Sequence, residues 1–74
     1  MKKMTIQLTC ADAVVDFVNW AMKVDGDVIV HSGSIDIDGT SLMGMFSMDI
    51  TKPMTVEFPR KATKFKKFLA KFEV

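Results

Sequence analysis

The sequence predicts an α+β fold: one antiparallel sheet with helices packed against a single face. Three observations predict it. Short segments alternate apolar with polar residues, which is the period of a half-buried strand. Two longer segments space their apolar residues by three and four, which is the period of an amphipathic helix. Glycine, proline and serine punctuate the chain between them.

Met4, Ile6, Leu8 and Cys10 alternate with Thr5, Gln7 and Thr9, so the first strand is expected to run through Cys10. Thr9-x-x-Asp12 has the pattern of a capping box, with a carboxylate where the first helical turn leaves N–H groups free. Val14, Phe17, Val18, Ala21 and Val24 form the apolar stripe of the first helix. Asp25-Gly26 closes it, with glycine suited to a left-handed C-cap.

Val28-Ile29-Val30 and Ile35-Asp36-Ile37-Asp38 read as a hairpin joined through Ser32-Gly33-Ser34. Gly39-Thr40-Ser41 breaks the alternation, and a short helix is expected from Leu42 to Asp49 with Ser41 as its N-cap. Pro53 restarts an extended run that places Met54, Val56 and Phe58 on one side and Thr55 and Glu57 on the other. Pro59 ends it. Ala62, Phe65, Phe68, Leu69 and Phe72 then mark a last amphipathic helix whose other face is lysine. The order is β-α-β-β-α-β-α, an open-faced two-layer sandwich, and residues 1–74 are expected to form one domain.

An apolar share of 49% with 26% charged residues fits a folded globule. No apolar run approaches the roughly 18 residues that span a bilayer, and Met1-Lys2-Lys3-Met4 leads into an alternating strand, not the apolar core of a secretory signal. One cysteine excludes an internal disulfide, and a single histidine beside it makes no zinc-ligand cluster, so no metal or cofactor is expected. A small domain without such staples fits a reducing compartment, and the expected location is the cytoplasm. The net charge is +1, yet six of the ten basic residues (Arg60, Lys61, Lys64, Lys66, Lys67, Lys71) crowd the last fifteen positions.

Few residues are candidates for chemistry. His31 lies opposite Val28 and Val30 in alternation, on the outer face of the hairpin strand or at its end, with no carboxylate at a spacing that obviously orients it. Cys10 precedes a helix N-terminus, which favours a thiolate, but Asp12 opposes an anion there and the apolar strand face is a natural home for a buried thiol. Asp36 and Asp38 share one strand face. With Asp25 or Asp27 they have the charge to hold a cation but not the ligand spacing of a calcium loop. The lysine helix has the charge for nucleic acid or an anionic surface, but its phenylalanines follow the buried stripe and offer no base-stacking platform.

The segment Ser41-Leu42-Met43-Gly44-Met45-Phe46 carries the most information. Leu42, Met45 and Met48 fit one face of a short helix, leaving Met43 and Phe46 on another. That second face either lies under a neighbouring loop or forms a soft, adaptable contact surface.

In its context this segment resembles the HPr family, the small phosphocarrier proteins of the bacterial sugar phosphotransferase system. Gly39 to Met48 is similar to the family's regulatory-serine helix, Phe17-Val18 matches its first helix, and Val28 to Ser41 fits without a gap. The resemblance covers about residues 4 to 72 and implies an HPr-like open-faced β-sandwich, with Ser41 at the regulatory phosphorylation position and Leu42, Met43 and Phe46 on the docking face.

Two departures accompany it. The family's Gly-Leu-His-x-Arg-Pro-like loop is shortened by about five residues, with Cys10 at the position of the phosphate-accepting His and Asp12 at that of the Arg. Thr40 also replaces the common lysine before the serine. The resemblance thus implies a degenerate, non-enzymatic, non-carrier member that docks onto a phosphotransferase-system or transcription-regulatory protein, without nucleic acid and without membrane insertion. The alternative is a carrier accepting phosphate on Cys10 or on His31.

Overall fold

The computed structural model describes all residues, 1–74. Four strands, β1 (Lys2–Ile6), β2 (Ile29–Ser32), β3 (Ile35–Asp38) and β4 (Met54–Phe58), form one antiparallel sheet in the order β1-β4-β2-β3. Three helices, α1 (Ala11–Met22), α2 (Leu42–Phe46) and α3 (Thr63–Ala70), complete the fold.

Register explains which face of the sheet they cover. Met4 lies opposite Val56, and Val56 opposite Val30, so the apolar residues of adjacent strands form rows on one face. Ile6, Met54, Phe58 and Ile37 extend those rows, and all are buried. Lys3, Thr5, Thr55, Glu57, His31, Asp36 and Asp38 alternate onto the other, solvent-facing side.

Ala13, Val14, Phe17, Val18 and Ala21 of α1 and Phe65, Phe68 and Leu69 of α3 close the core from the helical side. Phe65 is its aromatic hub, with ring centroids 5.5 Å from Phe17 and 5.6 Å from Phe58, both edge-to-face. α2 packs against β3 and α3 against β1, with α1 touching both helices. The two flanking helices therefore sit over opposite edges of the sheet.

Several element boundaries differ from expectation. β1 ends at Ile6, not Cys10. Leu8 is buried beyond it, and Thr9 and Cys10 carry the chain from the sheet to the helical layer, so Cys10 is exposed rather than buried. The N-cap of α1 is Cys10, with extended dihedrals and no side-chain hydrogen bond, so the capping box at Thr9 does not form.

α1 ends at Met22 with Lys23 as its C-cap, whose right-handed conformation continues into a turn, and Gly26 is not the cap. Gly26 adopts φ 134° against Pro59, where a Cβ would lie 2.7 Å from the ring. α2 stops at Phe46, short of the expected Asp49. The Ser47 hydroxyl bonds the Gly44 carbonyl at 2.6 Å, and Asp49 turns the chain by accepting from the Thr51 N–H at 3.0 Å. The strand edges are also managed. Gln7 N–H donates to the Phe72 carbonyl and Val74 N–H to that of Thr5, covering part of β1, while β3 carries two aspartates.

Candidate functional site

Ser41 sits where the sequence places it. It caps α2 with extended dihedrals, its Oγ accepting from the Gly44 N–H at 3.1 Å and its carbonyl from the Met45 N–H at 2.9 Å. The preceding turn is tied by Asp38, whose Oδ1 accepts from the Thr40 N–H at 2.9 Å and from the Thr40 hydroxyl at 2.7 Å. Those two bonds hold the Asp38 carboxyl below its ordinary pKa, so a fixed negative charge lies three residues before Ser41.

α2 has only five residues and anchors itself through one of them. Met45 is fully buried, and the backbone at Gly44 comes so close to β3 that a Cβ there would lie 3.0 Å from the Ile37 Cγ2. Leu42 does not join Met45 on the inner side as expected, because one turn of helix over a short edge strand has no further wall to pack against. Leu42, Met43 and Phe46 are 43%, 86% and 45% exposed. No neighbouring loop lies over Met43. Met48 and Ile50, beyond the helix, are half-buried against the core.

His31 is a residue the sequence names, but its two partners are what sequence reasoning missed. It lies on the outer face of β2, but two carboxylates clamp it. Nδ1 is 2.6 Å from the Asp36 Oδ1 and Nε2 is 2.9 Å from the Glu57 Oε1. Only the imidazolium donates from both nitrogens, and the Glu57 and Asp36 hydrogen bonds raise the His31 pKa above its ordinary value. Glu57 is correspondingly lowered, chiefly by its bond to His31 and further by the nearby charge of Lys3.

The absence of an orienting carboxylate near His31 is thus corrected, and half of the signal was available. Gly33 has φ 61° at the first central position of a two-residue turn, which pairs Ser32 with Ile35 and so His31 with Asp36. A three-residue reading of the turn hid that register. Glu57 comes from a strand 26 residues away, which no local spacing encodes.

Cys10 and His31 are on different elements, and the structure does not bring them together. Cys10 stands exposed at the N-cap of α1, and Asp12 is the acidic residue of the first turn. Asp36 and Asp38 are engaged by His31 and Thr40, and no group of three or more His, Cys, Asp or Glu side chains has the geometry of a metal site. No helix is long and apolar enough to cross a membrane.

No protein-family model matches the chain, and no curated protein matches it. Among solved structures it is similar to the phosphocarrier protein HPr from Bacillus anthracis str. Ames, with a TM-score of 0.71 at 16% sequence identity. The match covers 97% of this chain and 96% of that one. The four antiparallel strands and three helices are those of the HPr open-faced β-sandwich.

Proposed function

We propose that this chain is a docking module related to HPr that binds a protein partner through α2 and does not carry phosphate. The observation that supports this best is the concentration of exposed apolar surface. Of the eight large hydrophobic residues that are exposed, three lie in the five-residue α2. Exposed apolar side chains scattered singly are ordinary, whereas a contiguous set marks an interaction site. The Met43 and Phe46 side chains on a short helix can repack against differently shaped partners.

The non-carrier part of the reading draws on His31 and Cys10. His31 has both nitrogens taken by carboxylates, which exclude an incoming phosphoryl group by like charge. Cys10 occupies the acceptor position implied by the resemblance, and Asp12 beside it repels a dianion. Exposure of the Cys10 thiol at a helix start favours a second reading, transfer through Cys10. The two separate in one experiment: incubation with the general phosphotransferase enzyme and phosphoenolpyruvate, followed by intact-mass measurement. The docking reading predicts no adduct. A phosphoryl adduct that disappears in Cys10→Ser overturns it.

Ser41 is the proposed regulatory site. A phosphate there trades the Oγ acceptor of the Gly44 N–H for phosphate oxygens and places two negative groups, phosphoserine and Asp38, around one turn. Modification would thereby put charge beside the apolar docking face and weaken docking. A Ser41→Asp variant that binds the partner as tightly as wild type would contradict this role.

A further inference from the structure

A second surface lies over the opposite edge of the sheet. Lys2 and Lys3 of β1, Arg60 after β4, and Thr63 and Lys66 of α3 line a cleft of about 560 Å³ in which Met1 is the only apolar residue. Each of the four cationic side chains is exposed. None is within 4.0 Å of a carboxylate, for the only lysine or arginine ion pair in the molecule joins Lys61 to Asp25 at 3.6 Å. Glu57 stands opposite Lys3 in register but turns its carboxylate to His31.

This placement costs the fold something. The first turn of α3 has no acidic residue, and its N-cap, Ala62, supplies no side-chain acceptor. Arg60, Lys61 and Lys64 stand at the end of a helix that favours negative charge, and of these only Lys61 has a carboxylate partner, Asp25. Like charges from three chain segments meet at one concavity with no carboxylate in ion-pair contact, and Glu57, the acid that acts on Lys3, is bound to His31. A sequence that violates a local electrostatic rule without an internal compensation usually does so at a functional site.

We propose that this cleft binds a compact polyanion bearing phosphates. Its volume lies in the small-ligand range of about 300–1,000 Å³, yet its polar walls leave charge, not apolar contact, to supply the affinity. Arg60 offers a planar fork matched to phosphate oxygens, the lysines add mobile point charges, and Thr63 adds a hydroxyl donor. No exposed aromatic lines the cleft to stack nucleobases, so an oligonucleotide is the poorer fit. The surface is separate from α2 and holds or fails independently of the docking proposal.

The probe is inorganic tripolyphosphate, titrated into the intact chain at about 0.01 M salt and followed by amide chemical shifts and Tm. Saturable shifts are expected at Lys2, Lys3, Arg60, Thr63 and Lys66, with a rise in Tm. The double variant Arg60→Gln/Lys66→Gln should weaken binding by about tenfold or more, while Lys67→Gln/Lys71→Gln, an equal charge change elsewhere on α3, should weaken it by less than about threefold. All four positions are exposed, so both variants keep the fold. The proposal is overturned by equal losses in the two variants, which would mean diffuse attraction to α3, or by the absence of saturable binding. Tighter binding of a single-stranded oligonucleotide or of polyglutamate of equal charge would also overturn it.

Discussion

At the scale of single residues, the His31 clamp gives the molecule a pH dependence. With His31 raised, its contribution to stability is full below its ordinary pKa of 6.5 and is lost as pH rises through the raised value. With Glu57 lowered, its contribution is full above 4.5 and is lost as pH falls through the lowered value. The clamp therefore supports the fold best between about pH 4.5 and 6.5. Thermal melts across pH should show Tm falling from pH 6 to pH 9 in wild type, and the fall should flatten in His31→Gln. An unchanged slope in that variant would show that the clamp does not contribute. Because the imidazole keeps 31% of its surface in solvent, the effect is a modest one. Gly26 carries a second prediction. Its φ of 134° and its approach to Pro59 leave no space for a methyl group, so Gly26→Ala should cost more than about 1 kcal/mol in denaturant unfolding. The residue was visible in the sequence, but its reason was not. A glycine near a helix end reads as a cap, and only the fold shows Pro59 packed against it.

At the scale of elements, periodicity was a good guide wherever packing and alternation agree. β4 has the expected inward residues Met54, Val56 and Phe58, and α3 buries Phe65, Phe68 and Leu69 from the stripe that defined it. Phe65→Ala removes the ring shared by Phe17, Phe58 and Phe68, and unfolding measurements should show a loss of about 3–5 kcal/mol. Where the period ran on past the element, the sequence misled. Leu8 is buried and Cys10 is not, although the alternation treats them alike, because the sheet had already ended at Ile6. Likewise α2 is shorter than its apolar pattern, and Leu42 turns outward to join Met43 and Phe46. Trp20, half-buried with its ring 5.9 Å from that of Phe68, lies off the apolar stripe and went unread. Phe46→Ala should leave stability within about 1 kcal/mol of wild type, since the residue is 45% exposed.

At the scale of the whole molecule, the fold follows from the order of its elements, but the strand order β1-β4-β2-β3 does not. It is decided by which apolar rows align, Met4 with Val56 and Val56 with Val30, and those pairs are far apart in sequence. The same non-local pairing assembles His31 with Glu57, and Lys2 and Lys3 with Arg60 and Lys66. What was legible in advance was the α2 segment, because its chemistry is contiguous in the chain. The molecule thus offers two unlike surfaces on opposite edges of one sheet, an apolar helix over β3 and a cationic cleft beside β1.

The most direct test of docking through α2 is a quantitative pull-down from extracts of the cells that make this protein, comparing wild type with Phe46→Ala at matched Tm. The account predicts one defined protein retained by wild type and lost from the variant. Equal retention of that protein by both would contradict it.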